Sequence, residues 1–86
     1  MRDTILVTGS SRGIGRAIAV RAAKDGFNVV VHCRSRVDEA KEVMREIDAA
    51  GVESRLLVFD VANREQTREA LEADVKAHGA YYGVVC

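Results

Sequence analysis

Apolar and polar positions fall in two kinds of stretch along this chain: short apolar runs, and longer segments in which apolar residues return every third or fourth position. Ile5-Leu6-Val7 and Phe27 to His32 are runs of the first kind, brief and rich in β-branched residues, the pattern of parallel strands covered on both faces. Arg55 to Phe59 and Tyr81 to Cys86 supply two more. Between them, Ile14, Ala17, Ile18 and Ala22 predict one apolar helical face. Ala40, Val43, Met44, Ile47 and Ala50 predict a second, opposite Glu39, Lys41, Glu42, Arg45 and Glu46. Thr67, Leu71, Val75 and His78 predict a third, turned toward the sheet.

Punctuation supports this division. Proline is absent, and Gly26, Gly51 and Gly79 each follow one of the helical segments, where a helix ends most easily. Ser35 with Asp38 resembles a capping box, and Asn63 with Gln66 opens the third helix. Strands alternating with helices specify parallel strands joined by right-handed crossovers. The expected fold is α/β, βαβαβαβ, a partial doubly wound parallel sheet of Rossmann type with strand order 3-2-1-4. Residues 1–86 are expected to be the amino-terminal part of a single dinucleotide-binding domain, cut after its fourth strand. That strand should be central in a complete sheet, so ending there leaves an edge to be covered.

The order reverses between the first and fourth strands, and open parallel sheets take ligands at the carboxyl ends of the strands beside such a reversal. The loop that falls there reads Thr8-Gly9-Ser10-Ser11-Arg12-Gly13-Ile14-Gly15. Glycine serves where φ is positive or where a Cβ would strike a ligand, and a helix opening after the loop aims free N–H groups and the positive end of its dipole at phosphate. A plain turn would not need three glycines, so Gly9, Gly13 and Gly15 read as a seat for a pyrophosphate. Ser10 and Ser11 have no neighbouring base in the sequence and are not read as nucleophiles.

Composition narrows the partners. Lys+Arg and Asp+Glu balance at 13 each among 86 residues, 48% of them hydrophobic and 30% charged, the profile of a small globular domain. A domain this small buries only about 60% of the surface of its unfolded chain. The arginines are dispersed and form no basic stripe, which argues against nucleic acid as a partner. No apolar run approaches the roughly 20 residues of a membrane span, nor does the start read as a signal peptide, so a cytoplasmic location without membrane contact is expected. Cys33 and Cys86 match no metal spacing and read as reduced thiols, while Met44 reads as core. His32 and His78 lack an acid partner or second ligand in the sequence and read as satisfied in the core or facing solvent.

The TGxxxGxG loop at Thr8 to Gly15, followed by Asp60-Val61 after the third strand, resembles the short-chain dehydrogenase/reductase family over the whole chain. Within the family it looks most like the β-ketoacyl-acyl-carrier-protein reductases. The resemblance implies that Thr8, Gly9, Ser11, Gly13, Ile14 and Gly15 meet the pyrophosphate and nicotinamide ribose, that Asp60 accepts from the adenine amino group, and that Val61 meets the ring through its backbone. For Asp60, the residues alone also allow a role in capping the next helix, although Asn63 already offers a cap there. The resemblance further implies reduction of a ketone, small or carried on an acyl carrier, by a full-length protein that is a dimer or tetramer of identical chains. The family's Tyr-x-x-x-Lys pair is absent: Tyr81 and Tyr82 are followed four residues on by no lysine, and they read as apolar residues packed in the fourth strand. No catalytic residue is assigned within the chain, and the catalytic half is expected to follow it.

The choice of coenzyme rests on the end of the second strand. A protein that binds NAD usually places a carboxylate there for the ribose 2′-OH, and this chain has Cys33. Arg34 and Ser35 follow, Arg12 lies in the glycine loop and Arg36 is near, so a 2′-phosphate meets cations rather than repulsion. NADP(H) is the expected cofactor, with Arg12 and Arg34 as its clamp. The alternative reading is a non-catalytic nucleotide-binding or assembly module.

Overall fold

The computed structural model describes residues 2–86. Four parallel strands, β1 (Thr4–Val7), β2 (Asn28–Cys33), β3 (Ser54–Val58) and β4 (Gly83–Val85), form one sheet in the order β3-β2-β1-β4. Helices α1 (Gly13–Lys24), α2 (Val37–Ala49) and α3 (Arg64–His78) connect them. The first two crossovers step one way along the sheet and the third steps back past β2 and β1, so right-handed connections place α1 and α2 on one face and α3 on the other. The expected fold and strand order are those observed.

Between the sheet and α1/α2 lies an apolar core. Val7, Val29, Val31 and Cys33 project to this face and meet Ala19 and Ala23 of α1 and Ala40, Val43 and Ile47 of α2. β2 is buried on both faces, which explains its nearly unbroken apolar sequence. Arg16 ties the two helices together on the outside by pairing with Glu46 and, at 3.9 Å, with Glu42.

Several boundaries and faces differ from the sequence reading. β2 and β3 end at Cys33 and Val58, one residue later and one earlier than expected, and they pair with each other there. On α1 the expected Ile18 and Ala22 pack against the core, but the fully buried line is Ala19 and Ala23, while Ala17 is exposed and Ile14 is 80% exposed, because the helix is rolled to press Gly15 against the loop. On α2, Ala50 lies past the last turn and is exposed, and the expected Ser35–Asp38 capping box does not form. The cap is Arg36, which makes no side-chain capping bond; Ser35 lies one residue too early, its carbonyl accepting from Val37 N–H at 3.0 Å.

The other face is built differently. α3 starts as expected, with Asn63 Oδ1 accepting from Gln66 N–H at 3.0 Å. Its inward residues are Thr67, Ala70, Leu71 and Asp74, not Val75 and His78, which are exposed. Asp74 is drawn inward by Arg55 of β3, which donates from Nε and Nη2 to its two oxygens at 2.8 Å each. Tyr81 adds a third donor, its hydroxyl 2.6 Å from Asp74 Oδ2. Tyr81 and Tyr82 thus precede β4 instead of packing within it. Tyr82 is exposed, its ring stacked on Phe27 at 5.5 Å, and its N–H donates to Thr4 O at 2.8 Å.

The Arg55 hydrogen bonds hold the Asp74 carboxyl below its ordinary pKa against the opposing effect of burial. Burial first, and the Asp74 acceptor second, push the Tyr81 hydroxyl well above its ordinary value, so it remains a donor. Breaking such a pair strands a charge. Asp74→Ala is expected to lower stability by about 2–4 kcal/mol in denaturant titrations at pH 7. Because the folded-state value is depressed, the carboxylate's contribution is present above the unfolded value of about 4 and is lost as pH falls through the lower folded value. The difference between wild type and variant should therefore shrink below about pH 4.

Candidate functional site

The carboxyl ends of β1 and β2 open into a crevice of about 770 Å³. Its floor is the glycine loop and its far wall the segment after β2. The loop is fastened at three residues, one to β4 and two to β2. Thr8 donates from both N–H and Oγ1 to Val85 O of β4, at 2.9 and 3.2 Å. Ser10 is fully buried: its N–H donates to His32 O at 3.0 Å, and its Oγ accepts from His32 N–H at 2.9 Å. Gly9 N–H donates to His32 Nδ1 at 2.9 Å.

The three glycines do separate jobs. Gly9 and Gly13 both have φ of +62°, the left-handed region that side chains disfavour, and a Cβ on either would meet no protein atom within 4 Å. Gly15 is confined instead by space, since a Cβ there would stand 2.2 Å from Gly9 O. This is close packing of helix against loop, the role of the last glycine in dinucleotide-binding turns.

Electrostatically, the start of α1 differs from the other two helix starts. Arg12 caps it without a side-chain bond, and its first turn holds no acid. α2 carries Asp38 and Glu39 in its first turn, and α3 has the Asn63 cap and Glu65. At α1 the free N–H groups and the positive dipole end therefore go unanswered by the protein. Arg12, Arg34 and Arg36 line the crevice beside it. Burial raises the Cys33 thiol above its ordinary pKa, so the end of β2 presents a neutral group where a carboxylate could have stood. N–H donors, guanidinium groups and side-chain-free turns together suit an anionic phosphate ligand.

Of the sequence-derived candidates, Thr8, Gly9, Ser11, Arg12, Cys33, Arg34, Ser35 and Val61 are brought together around this crevice. Gly13 and Ile14 sit at its α1 border, Ile14 with its side chain exposed. Gly15 faces the loop backbone. Asp60 stands beside Arg34 without lining the crevice: its Oδ1 accepts from Ala62 N–H at 2.9 Å in the turn before α3, whose cap is Asn63 and not Asp60, and its Oδ2 is 3.5 Å from Arg34 Nη2. Arg36 joins the lining while pairing with Glu39 at 3.5 Å. His32 also lines the crevice and had no site role in the sequence reading. The available signal was an imidazole ending an otherwise apolar buried strand. His78 is exposed at the other end of the sheet, and Cys33 and Cys86 are free thiols, one buried and one exposed.

A parallel sheet in this order, with a glycine turn and an uncompensated helix start at its switch point, defines a doubly wound α/β protein of the Rossmann type. The model of the short chain dehydrogenase family matches residues 3–85, and the chain belongs to that family, whose members bind a nicotinamide cofactor. It is 58% identical over 85 residues to a 3-oxoacyl-[acyl-carrier-protein] reductase, FabG, of Aggregatibacter actinomycetemcomitans, covering 99% of this chain and 35% of that protein. A FabG of Staphylococcus epidermidis is 41% identical over 80 residues, covering 93% of this chain and 33% of its own length. Among solved structures, the alcohol dehydrogenase of Thermococcus sibiricus complexed with 5-hydroxy-NADP aligns with a TM-score of 0.87 at 32% identity, over 98% of this chain and 36% of that one. An acetoin dehydrogenase of Enterobacter cloacae aligns with a TM-score of 0.89 at 27% identity, over 98% of this chain and 33% of that one. The chain thus spans about a third of the length of these relatives. No helix among the described residues is long and apolar enough to cross a membrane.

Gly15→Ala tests the loop geometry. The added methyl must displace Gly9 backbone or lift α1, and the expected cost is about 1–3 kcal/mol of stability by denaturant titration. Gly26→Ala, where a Cβ meets no protein atom within 4 Å, serves as the comparison for backbone strain alone.

Proposed function

We propose that this chain is the NADPH-binding part of a short-chain reductase that reduces a carbonyl to an alcohol, with a 3-oxoacyl group on acyl-carrier protein as the substrate of the whole protein. The observation that carries the coenzyme reading is the crevice rim. Arg12, Arg34 and Arg36 stand around an uncompensated helix start, and Cys33 occupies the place of the carboxylate that would select NAD. The substrate reading is supported by the 58% identity to a 3-oxoacyl-[acyl-carrier-protein] reductase.

In this reading the first-turn N–H groups of α1 hold the pyrophosphate, while Gly9 and Gly13 keep the approach free of side chains. Arg12 and Arg34 hold the 2′-phosphate by charge-assisted hydrogen bonds, and Asp60 with the Val61 backbone meets the adenine. Arg34 rests 3.5 Å from Asp60, a proximity that supports both residues meeting the same adenosine. NADPH supplies the hydride when bound. No Tyr-x-x-x-Lys pair occurs in the 86 residues, so the proton donor to the carbonyl belongs to another part of the protein. We also propose that the whole protein is a cytoplasmic homo-oligomer.

The test is coenzyme preference in the full-length protein. Wild type should favour NADPH over NADH, and Arg34→Asp should cut the ratio of their kcat/KM values by about tenfold or more, since charged hydrogen bonds of about 1.5–3 kcal/mol are replaced by repulsion at a partly solvated rim. An unchanged ratio would remove Arg34 from the clamp, and a wild-type preference for NADH would overturn the coenzyme reading.

A further inference from the structure

We infer that His32 is a positioning residue for the phosphate-binding loop: it fixes Gly9 by occupying its amide proton, and so decides which N–H groups remain for a ligand. The inference rests on the crevice being the NADPH site. Its geometry comes from β2, whose alternation sends Val31 and Cys33 into the α1/α2 core and the intervening His32 to the opposite face. The side chain is 3% exposed and spans from the loop to the end of β3.

Both ring nitrogens are engaged, and their roles follow from one another. Nδ1 faces the Gly9 N–H, which can only donate, so Nδ1 accepts. The ring proton therefore sits on Nε2 and is donated to Phe59 O at 2.8 Å. The Phe59 ring closes over the imidazole with centroids 4.2 Å apart. The backbone of His32 meanwhile holds Ser10 through its own N–H and carbonyl. A single residue thus fastens two consecutive loop residues to β2 and braces them against β3.

This bracing matters because Gly9 lacks the side chain that would restrict it. A glycine at φ +62° can leave that conformation at little cost, so the loop shape must be imposed from outside. His32 imposes it, and in doing so removes Gly9 N–H from the groups open to phosphate. The ladder of α1 begins with Arg16 N–H on Arg12 O at 3.3 Å, leaving the N–H groups of Gly13, Ile14 and Gly15 ahead of it. Of the loop's backbone donors, Gly9 N–H is thus engaged, and those at the start of α1 stay free for a phosphate.

Three variants of the full-length protein separate positioning from packing. Asn at this position keeps an acceptor where Nδ1 stands but cannot reach Phe59; Gln reaches toward Phe59 but not Gly9; Leu keeps the volume and neither bond. NADPH dissociation constants, read by fluorescence, should rise about tenfold for His32→Leu and His32→Gln and less than about threefold for His32→Asn. Thermal stability should rank the other way, with Leu at or above Asn in this buried site. Without nucleotide, the Gly9 amide should exchange with solvent faster in His32→Leu than in wild type or His32→Asn by NMR. Equal Gly9 exchange in wild type and His32→Leu, or affinity that follows stability across the three variants, overturns the inference. Wild type that binds no NADPH while Gly9 exchange still follows His32 overturns the coenzyme reading and upholds the anchor.

Discussion

The contact between Gly15 and the carbonyl of Gly9 is the constraint on which the rest is arranged. No side chain fits there, since a Cβ would lie 2.2 Å from the carbonyl oxygen. Bringing α1 that close to its own loop rolls the helix so that residues at four-residue steps from Gly15 face the sheet, and these are Ala19 and Ala23. Small residues let the helix lie low over Val7, Val29 and Val31, and Ile18 and Val20 close the core at its margins. The same roll turns Ile14 outward to the crevice border. Packing and site are therefore consequences of one close approach.

What the crevice can hold is decided by what the protein leaves unanswered. Two helix starts are compensated by their own acids or cap; the third, at the switch point, is not. Leaving backbone donors free at a helix start costs little while water can reach them, and they regain their full strength when an anion displaces that water. The rim arginines add charge that is screened in the open crevice and grows as a ligand excludes solvent. Cys33 contributes by being neutral, because burial disfavours its thiolate.

Much of this was legible in the sequence, and the misses have physical causes. The four strands, their order and the glycine loop follow from short β-branched runs, glycine punctuation and the handedness of crossovers, which are local or topological rules. Half of the α1 stripe, Ile18 and Ala22, does pack against the core; Ile14 and Ala17 do not, because periodicity offers several nearby faces to a helix rich in alanine and a backbone contact chooses among them. Asp74 was invisible as an inward residue because its partner Arg55 lies 19 positions away. Tyr81 read as a strand residue since its hydroxyl's partner is likewise a matter of tertiary structure. That Cys33 and Arg34 line the crevice is legible because it depends only on position relative to a strand end, whereas for His32 the sequence offers just an imidazole near the end of an apolar strand, and its bonds at both nitrogens are a matter of tertiary structure.

The end of β2 shows how the sheet serves both faces at one place. Successive strand residues point to opposite sides, so His32 and Cys33, adjacent in sequence, enter different environments. Cys33 extends the apolar core under α1 and α2 and borders the crevice at its end. His32 enters the side where Phe59 and the glycine loop offer one acceptor and one donor, and an imidazole matches both in a single rigid ring. An apolar residue there would leave the Phe59 carbonyl and the Gly9 amide without these partners, a cationic one would set a donor against the Gly9 N–H, and a carboxylate would set an acceptor against the Phe59 carbonyl. The strand end is thus constrained twice over, by core packing on one face and by loop geometry on the other. That double constraint keeps the next residue, Arg34, aimed at the crevice while its own guanidinium stays in solvent.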